Sequence, residues 1–196
     1  MANKKINFKW IAVGIRLVVF LFLIGTLFIP FSTGLKMTVK SSGGDVVTTY
    51  KSAFVFMFGG ELISEHIKYK VTGNCVIGIV GYILIATALI LLLVSLFSRR
   101  KKDTLSRVFL FVTLAFVLTG SILMLSAHKS AATILADAII GEHSDAVAAT
   151  IYKNTSLEFG FWGVGMFGII SSVGLLASLI FDGTVDKIRD FLKAKL

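Results

Sequence analysis

Four long apolar runs alternate with polar segments along the chain: Trp10 to Ile29, Cys75 to Phe97, Val108 to Leu125 and Phe159 to Phe181. At a helical rise of 1.5 Å per residue, runs of about 20 residues cross a hydrocarbon core of roughly 30 Å. Backbone in lipid must satisfy its own hydrogen bonds, so each run is expected to be a membrane-spanning helix. The fold class expected is an all-α integral membrane protein, a four-helix bundle forming one domain over residues 1–196. Its first span competes with a cleaved signal peptide. The apolar region is too long for one, and no Ala-x-Ala site precedes the next segment, so a retained span is expected.

The polar segments orient the spans. Ser98 to Arg107 places Arg99, Arg100, Lys101, Lys102 and Arg107 between the second and third runs, and basic loops of this length stay in the cytoplasm. Alternation then puts residues 1–9 and 182–196 inside, and residues 30–74 and 126–158 outside. So short a turn also makes spans two and three antiparallel neighbours. Val185, Ile188, Leu192 and Leu196 recur at helical spacing, which predicts a cytoplasmic helix lying on a lipid or protein surface.

The first outer segment has a β texture. Met37 to Lys40 and Asp45 to Lys51 flank Ser-Ser-Gly-Gly, a hairpin pattern, and Ile67 to Val71 reads as a last short strand. Between them, Ala53 to Phe58 is expected to be a strand with Phe54, Phe56 and Phe58 on one face and Val55 and Met57 on the other. Both faces would be apolar, so that strand needs cover from its own protein, the membrane surface or a partner chain. The second outer segment reads as helical over Ala131 to Ile140 and again over Asp145 to Tyr152. Its acidic side chains face a slightly basic first segment, and mutual attraction could close one outer cap. Asn154-Thr-Ser156 matches a glycosylation sequon, a pattern that matters only in a eukaryotic secretory route.

In the last span, Gly160, Gly163, Gly168, Ser171, Gly174 and Ser178 share a broad arc of one helix face, with Gly165 and Ser172 at its margin. Such a face lets helices pack backbone to backbone, inside the chain's own bundle or against a partner. Arg16 is the one charge within a span. It lies about two turns in from Trp10, where its stem can carry the guanidinium back to the lipid headgroups or to a buried partner.

Composition agrees with lipid as the solvent: of 196 residues 56% are hydrophobic and 16% charged, with a mean hydropathy of +0.88. The net charge of +9 does not point to nucleic acid, because twelve of the twenty Lys and Arg fall in the segments placed inside. They mark topology and attract anionic headgroups. A single Cys75 excludes an internal disulfide; an inert thiol, lipidation and pairing with another chain remain open for it. His66, His128 and His143 show no metal-pair spacing and are expected to be solvated. No phosphate-binding loop, nucleophile elbow or paired acids within a span are present, so no cofactor, metal or catalytic residue is nominated.

The plan is similar in topology to the claudin-like four-helix membrane proteins. Residues 30–74 lack the Trp and the Cys pair of their outer-segment signature, so no family function or residue is carried over. What remains is a non-catalytic protein of the cell membrane that works by contact with lipid and with a membrane-protein partner or its own copies, as an accessory subunit or scaffold. An oligomeric channel or small-solute transporter is the alternative.

Overall fold

The computed structural model describes residues 8–41, 44–64, 67–97, 103–140 and 145–183. Four long helices make the body: α1 (Phe8–Phe28), α3 (Val76–Phe97), α4 (Asp103–Ser126) and α7 (Phe159–Phe181). Each is long and apolar enough to cross a membrane. They close a ring in which α1 touches α7 and α3, and α4 touches α3 and α7. Large apolar side chains such as Leu21, Ile83, Ile90 and Val173 point outward from the bundle, as a lipid-facing surface requires.

Small residues set how closely these helices approach. A Cβ on Gly81 would lie 2.9 Å from the Gly120 carbonyl oxygen, and one on Gly120 would lie 2.7 Å from that of Gly81. Backbone therefore meets backbone where α3 and α4 cross. Farther along the same pair, the Ser95 and Ser106 hydroxyls lie 3.0 Å apart, and each lies 3.1 Å from the other's carbonyl oxygen. Lipid offers no hydrophobic drive between helices, so contacts of these two kinds hold them together.

At one end of the bundle the two long connections build a single cap. The first contains β1 (Thr33–Ser41), β2 (Gly44–Lys51), α2 (Ala53–Phe58), β3 (Gly60–Ser64) and β4 (Ile67–Val71). The second contains α5 (His128–Ile140), α6 (Asp145–Asn154) and β5 (Thr155–Leu157). One sheet runs in the order β2-β1-β5, and β3 pairs with β4 in a second. Thus the two connections are joined through backbone, with Leu35 opposite Leu157 and Met37 opposite Thr155. The Lys68–Glu61 pair, 3.3 Å apart, is exposed on both sides and bridges neighbouring strands of the first connection alone.

The main correction concerns residues 53–58, which form a helix and not the expected strand. A six-residue apolar run fits either periodicity, and tertiary packing decides between them. Helical spacing buries Ala53, Phe56 and Met57 on one side and gathers Phe54 and Phe58 on another. The helix's end carbonyls are met by the chain that follows, the Gly59 N–H donating to Val55 O and the Cys75 N–H to Phe56 O, both at 2.9 Å. Gly59 and Gly60, at φ of +79° and +135°, then turn the chain into β3, an element the sequence pattern did not suggest.

Candidate functional site

The structure spreads the small-residue face of α7 over three neighbours. Gly160 lies against the Thr33 carbonyl and the Ala53 methyl, which seats the cap on the bundle. Gly165 faces Leu125 and Gly168 faces Ser121, both on α4, while Gly163 meets Ile29 and Gly174 meets Val19 on the α1 side. Most of this face is used inside the chain's own fold.

Ser178 and Arg16 form the polar junction of α1 with α7. Arg16 is 1% exposed; its Nε donates to Ser178 Oγ at 2.8 Å and its Nη2 to Asp182 Oδ2 at 2.9 Å. The Ser178 hydroxyl in turn donates to the Ala12 carbonyl at 3.2 Å. Helical side chains lean toward their own N-terminus, which carries the guanidinium toward the Trp10 end, where α7 finishes. It meets protein partners there, in place of the headgroups that the sequence suggested first. Sequence reasoning missed Asp182, although a signal existed: a lone Arg one to two turns inside the first span and an acid just past the end of the last lie at similar depth in an antiparallel pair.

Among the described residues, every buried hydroxyl within the helices has a hydrogen-bond partner but one. Thr26 donates to Phe22 O, Thr113 to Phe109 O, Ser121 to Val117 O and Ser172 to Gly168 O, at 2.6–3.0 Å. Ser95, Ser106 and Ser178 bond across helices. Ser171, 2% exposed, has no hydrogen-bond partner for its hydroxyl. It lines a groove of about 440 Å³ between α1 and α7, whose other walls are apolar side chains of both helices.

Phe54, Phe56 and Phe58 are separated by the helix that carries them. Phe56 is fully buried, packed on Phe161 and beneath Gly34, where a Cβ would press 2.9 Å from its ring. Phe54 stacks on Phe31 at 4.8 Å and neighbours Phe58 at 4.4 Å, and both approach Tyr82 edge-on. The Tyr82 hydroxyl donates to the Leu27 carbonyl at 3.0 Å, tying α3 to the end of α1. Aromatic rings gathered at one level where spans end match the belt that membrane proteins place at an interface.

In the cap, His128 is half-buried instead of solvated. Its Nε2 lies 3.0 Å from Thr155 Oγ1, and its ring lies 4.5 Å from that of Tyr152. Burial pushes its pKa below the ordinary 6.5, partly offset by hydrogen bonding to the Thr155 backbone. Cys75 is buried, with its thiol directed at the Ala127 carbonyl, 3.9 Å away. Arg99, Arg100, Lys101 and Lys102, His66 and His143, and the tail beyond Gly183 lie outside the described residues. Among the described residues, no three His, Cys, Asp or Glu side chains converge as metal ligands.

The β1–β2 hairpin carries a second unusual surface. Leu35 pairs with Tyr50, Met37 with Thr48 and Val39 with Val46 on one face of the hairpin. Leu35 and Tyr50 are buried, but Val39 and Val46 are 44% and 55% exposed, so the core-facing row runs on past the body that covers its base. Val47, on the opposite face, is exposed as well.

No protein-family model matches the chain. A comparison with curated proteins likewise finds no match.

Proposed function

We propose that this chain is a non-catalytic subunit of a larger membrane assembly that works through contact. Its cap faces out of the cell, and both termini and the basic turn at Arg99–Lys102 lie in the cytoplasm. The observation that carries the proposal is the hairpin row. A strand face that keeps core-type valines beyond its own core presents apolar area to water, which natural sheets avoid unless another surface covers it. Its strand β2 is also an edge of its sheet.

Extraction from native membranes in mild detergent tests this. The full chain should come out bound to another chain, and Val46→Thr with Val47→Thr, which keeps β-branched shape while adding hydroxyls, should release that partner at unchanged stability. Recovery as a stable monomer, or an assembly indifferent to both substitutions, would count against the proposal. Flux of ions or small solutes into vesicles holding the purified chain alone would replace it with a channel or carrier.

A further inference from the structure

The groove between α1 and α7 combines three features that meet nowhere else among the described residues. Its floor is made of small residues: Gly14, where an added Cβ would meet nothing within 4 Å, together with Gly174 and Ser171. Ile15, Val18 and Phe22 wall it on the α1 side, so no charge lines it. Ser171 gives it a buried hydroxyl with no partner.

Depth decides what kind of molecule could complete that hydroxyl. Counting along α7, Ser171 lies roughly 18 Å from Phe159 and 15 Å from Phe181 at 1.5 Å per residue, hence close to the bilayer midplane. Acyl chains present only hydrocarbon at that level and cannot accept or donate a hydrogen bond. A helix of another protein can, through a Ser, Thr, Asn or Gln side chain. A second copy of this chain using the same face is a poor fit, since a two-fold axis would set one concavity against another and fill neither.

We propose that the α1–α7 groove receives one membrane-spanning helix of a partner subunit. That helix places a small residue over Gly14 and Gly174 and a hydrogen-bonding side chain beside Ser171. The inference rests on the subunit reading above and names where, within the membrane, the partner is held.

A photoreactive side chain at position 18, on the groove wall, tests it in native membranes carrying the full chain. Position 90, on the outward face of α3, serves as the comparison. Position 18 should give a discrete adduct with one other protein, mapping to a membrane span that holds both a small and a hydrogen-bonding residue. Position 90 should give lipid adducts. Ser171→Ala should cut the yield at position 18 about threefold, the size of one interhelical hydrogen bond in lipid. Gly14→Leu, whose side chain enters open space, should abolish the adduct without lowering the melting temperature. The proposal is overturned by lipid adducts alone at position 18, by an adduct to a second copy of this chain, or by a protein adduct indifferent to both substitutions. If a partner still co-purifies in any of those cases, only the groove assignment fails; if no partner is found at all, the subunit reading fails with it.

Discussion

Removing Asp182 should cost this protein more stability than removing Arg16, although Arg16 is the residue inside the span. Asp182→Ala leaves a guanidinium that is 1% exposed with one acceptor fewer. Breaking a buried pair from one side typically costs about 3 to 5 kcal/mol. The Asp182 side chain is 14% exposed, and the arginine stem can lift its charge toward headgroups, so the lower end, about 3 kcal/mol, is expected. Arg16→Leu removes the buried charge itself. Asp182 can then turn to water, and Ser178 keeps its bond to the Ala12 carbonyl, so about 1 to 2 kcal/mol is expected. The double substitution should cost less than the sum by at least about 1 kcal/mol, because the pair is one interaction. Thermal unfolding in mild detergent, followed by the fluorescence of Trp10 and Trp162, reads these values. On the scaling for chains of this size, about 3 kcal/mol corresponds to roughly 6 to 12 °C in Tm. If Asp182→Ala melts with the parent, or if the two losses simply add, Arg16 is held by headgroups and the α1–α7 junction described here is wrong.

Gly168→Leu forces a branched side chain into Ser121 and should destabilise by about 1 to 3 kcal/mol in the same assay, whereas Val173→Leu, on the outward face, should leave Tm unchanged. Equal melting of both variants would mean that α7 does not pack on α4 in this register. The depressed pKa of His128 makes its contribution fully present above pH 6.5 and lost as pH falls through the lower folded-state value. The parent should therefore lose stability more steeply than His128→Gln as pH falls below 6.5; parallel pH profiles would refute the buried imidazole. With Cys75 replaced by Ala, single cysteines at positions 43 and 143 should react with an impermeant thiol reagent from outside, and those at 102 and 190 only after permeabilisation. The reverse pattern would invert the topology.

The four long helices were legible because uninterrupted apolar length is a signal no loop imitates, and the helical second connection because Ala-rich periodicity over Ala131 to Ile140 leaves few alternatives. Residues 53–58 misled because alternating phenylalanines satisfy a strand pattern, while the packing that makes them helical comes from Phe161, Gly34 and Tyr82, remote in sequence. Strand β5 was missed since three residues carry no periodicity of their own; it exists through its pairing with β1. The small-residue face of α7 was visible as a pattern, but its division among α1, α4 and the cap was not, for helix periodicity fixes a face and leaves its neighbours open. Ser171 stands apart from Gly168 and Ser178 through geometry alone, since one hydroxyl looks like another in the sequence. The apolar hairpin tip was hidden for a related reason: Val39, Val46 and Val47 read as ordinary strand residues until the extent of the body beneath them is known.

The mass of the native particle, measured directly from native membranes without overexpression of a partner, tests the central claim most directly. A contact-working subunit predicts a particle containing this chain, of 21.3 kDa, together with at least one different membrane protein in fixed ratio. A particle of this chain alone, as a monomer or as a ring of copies, would contradict it.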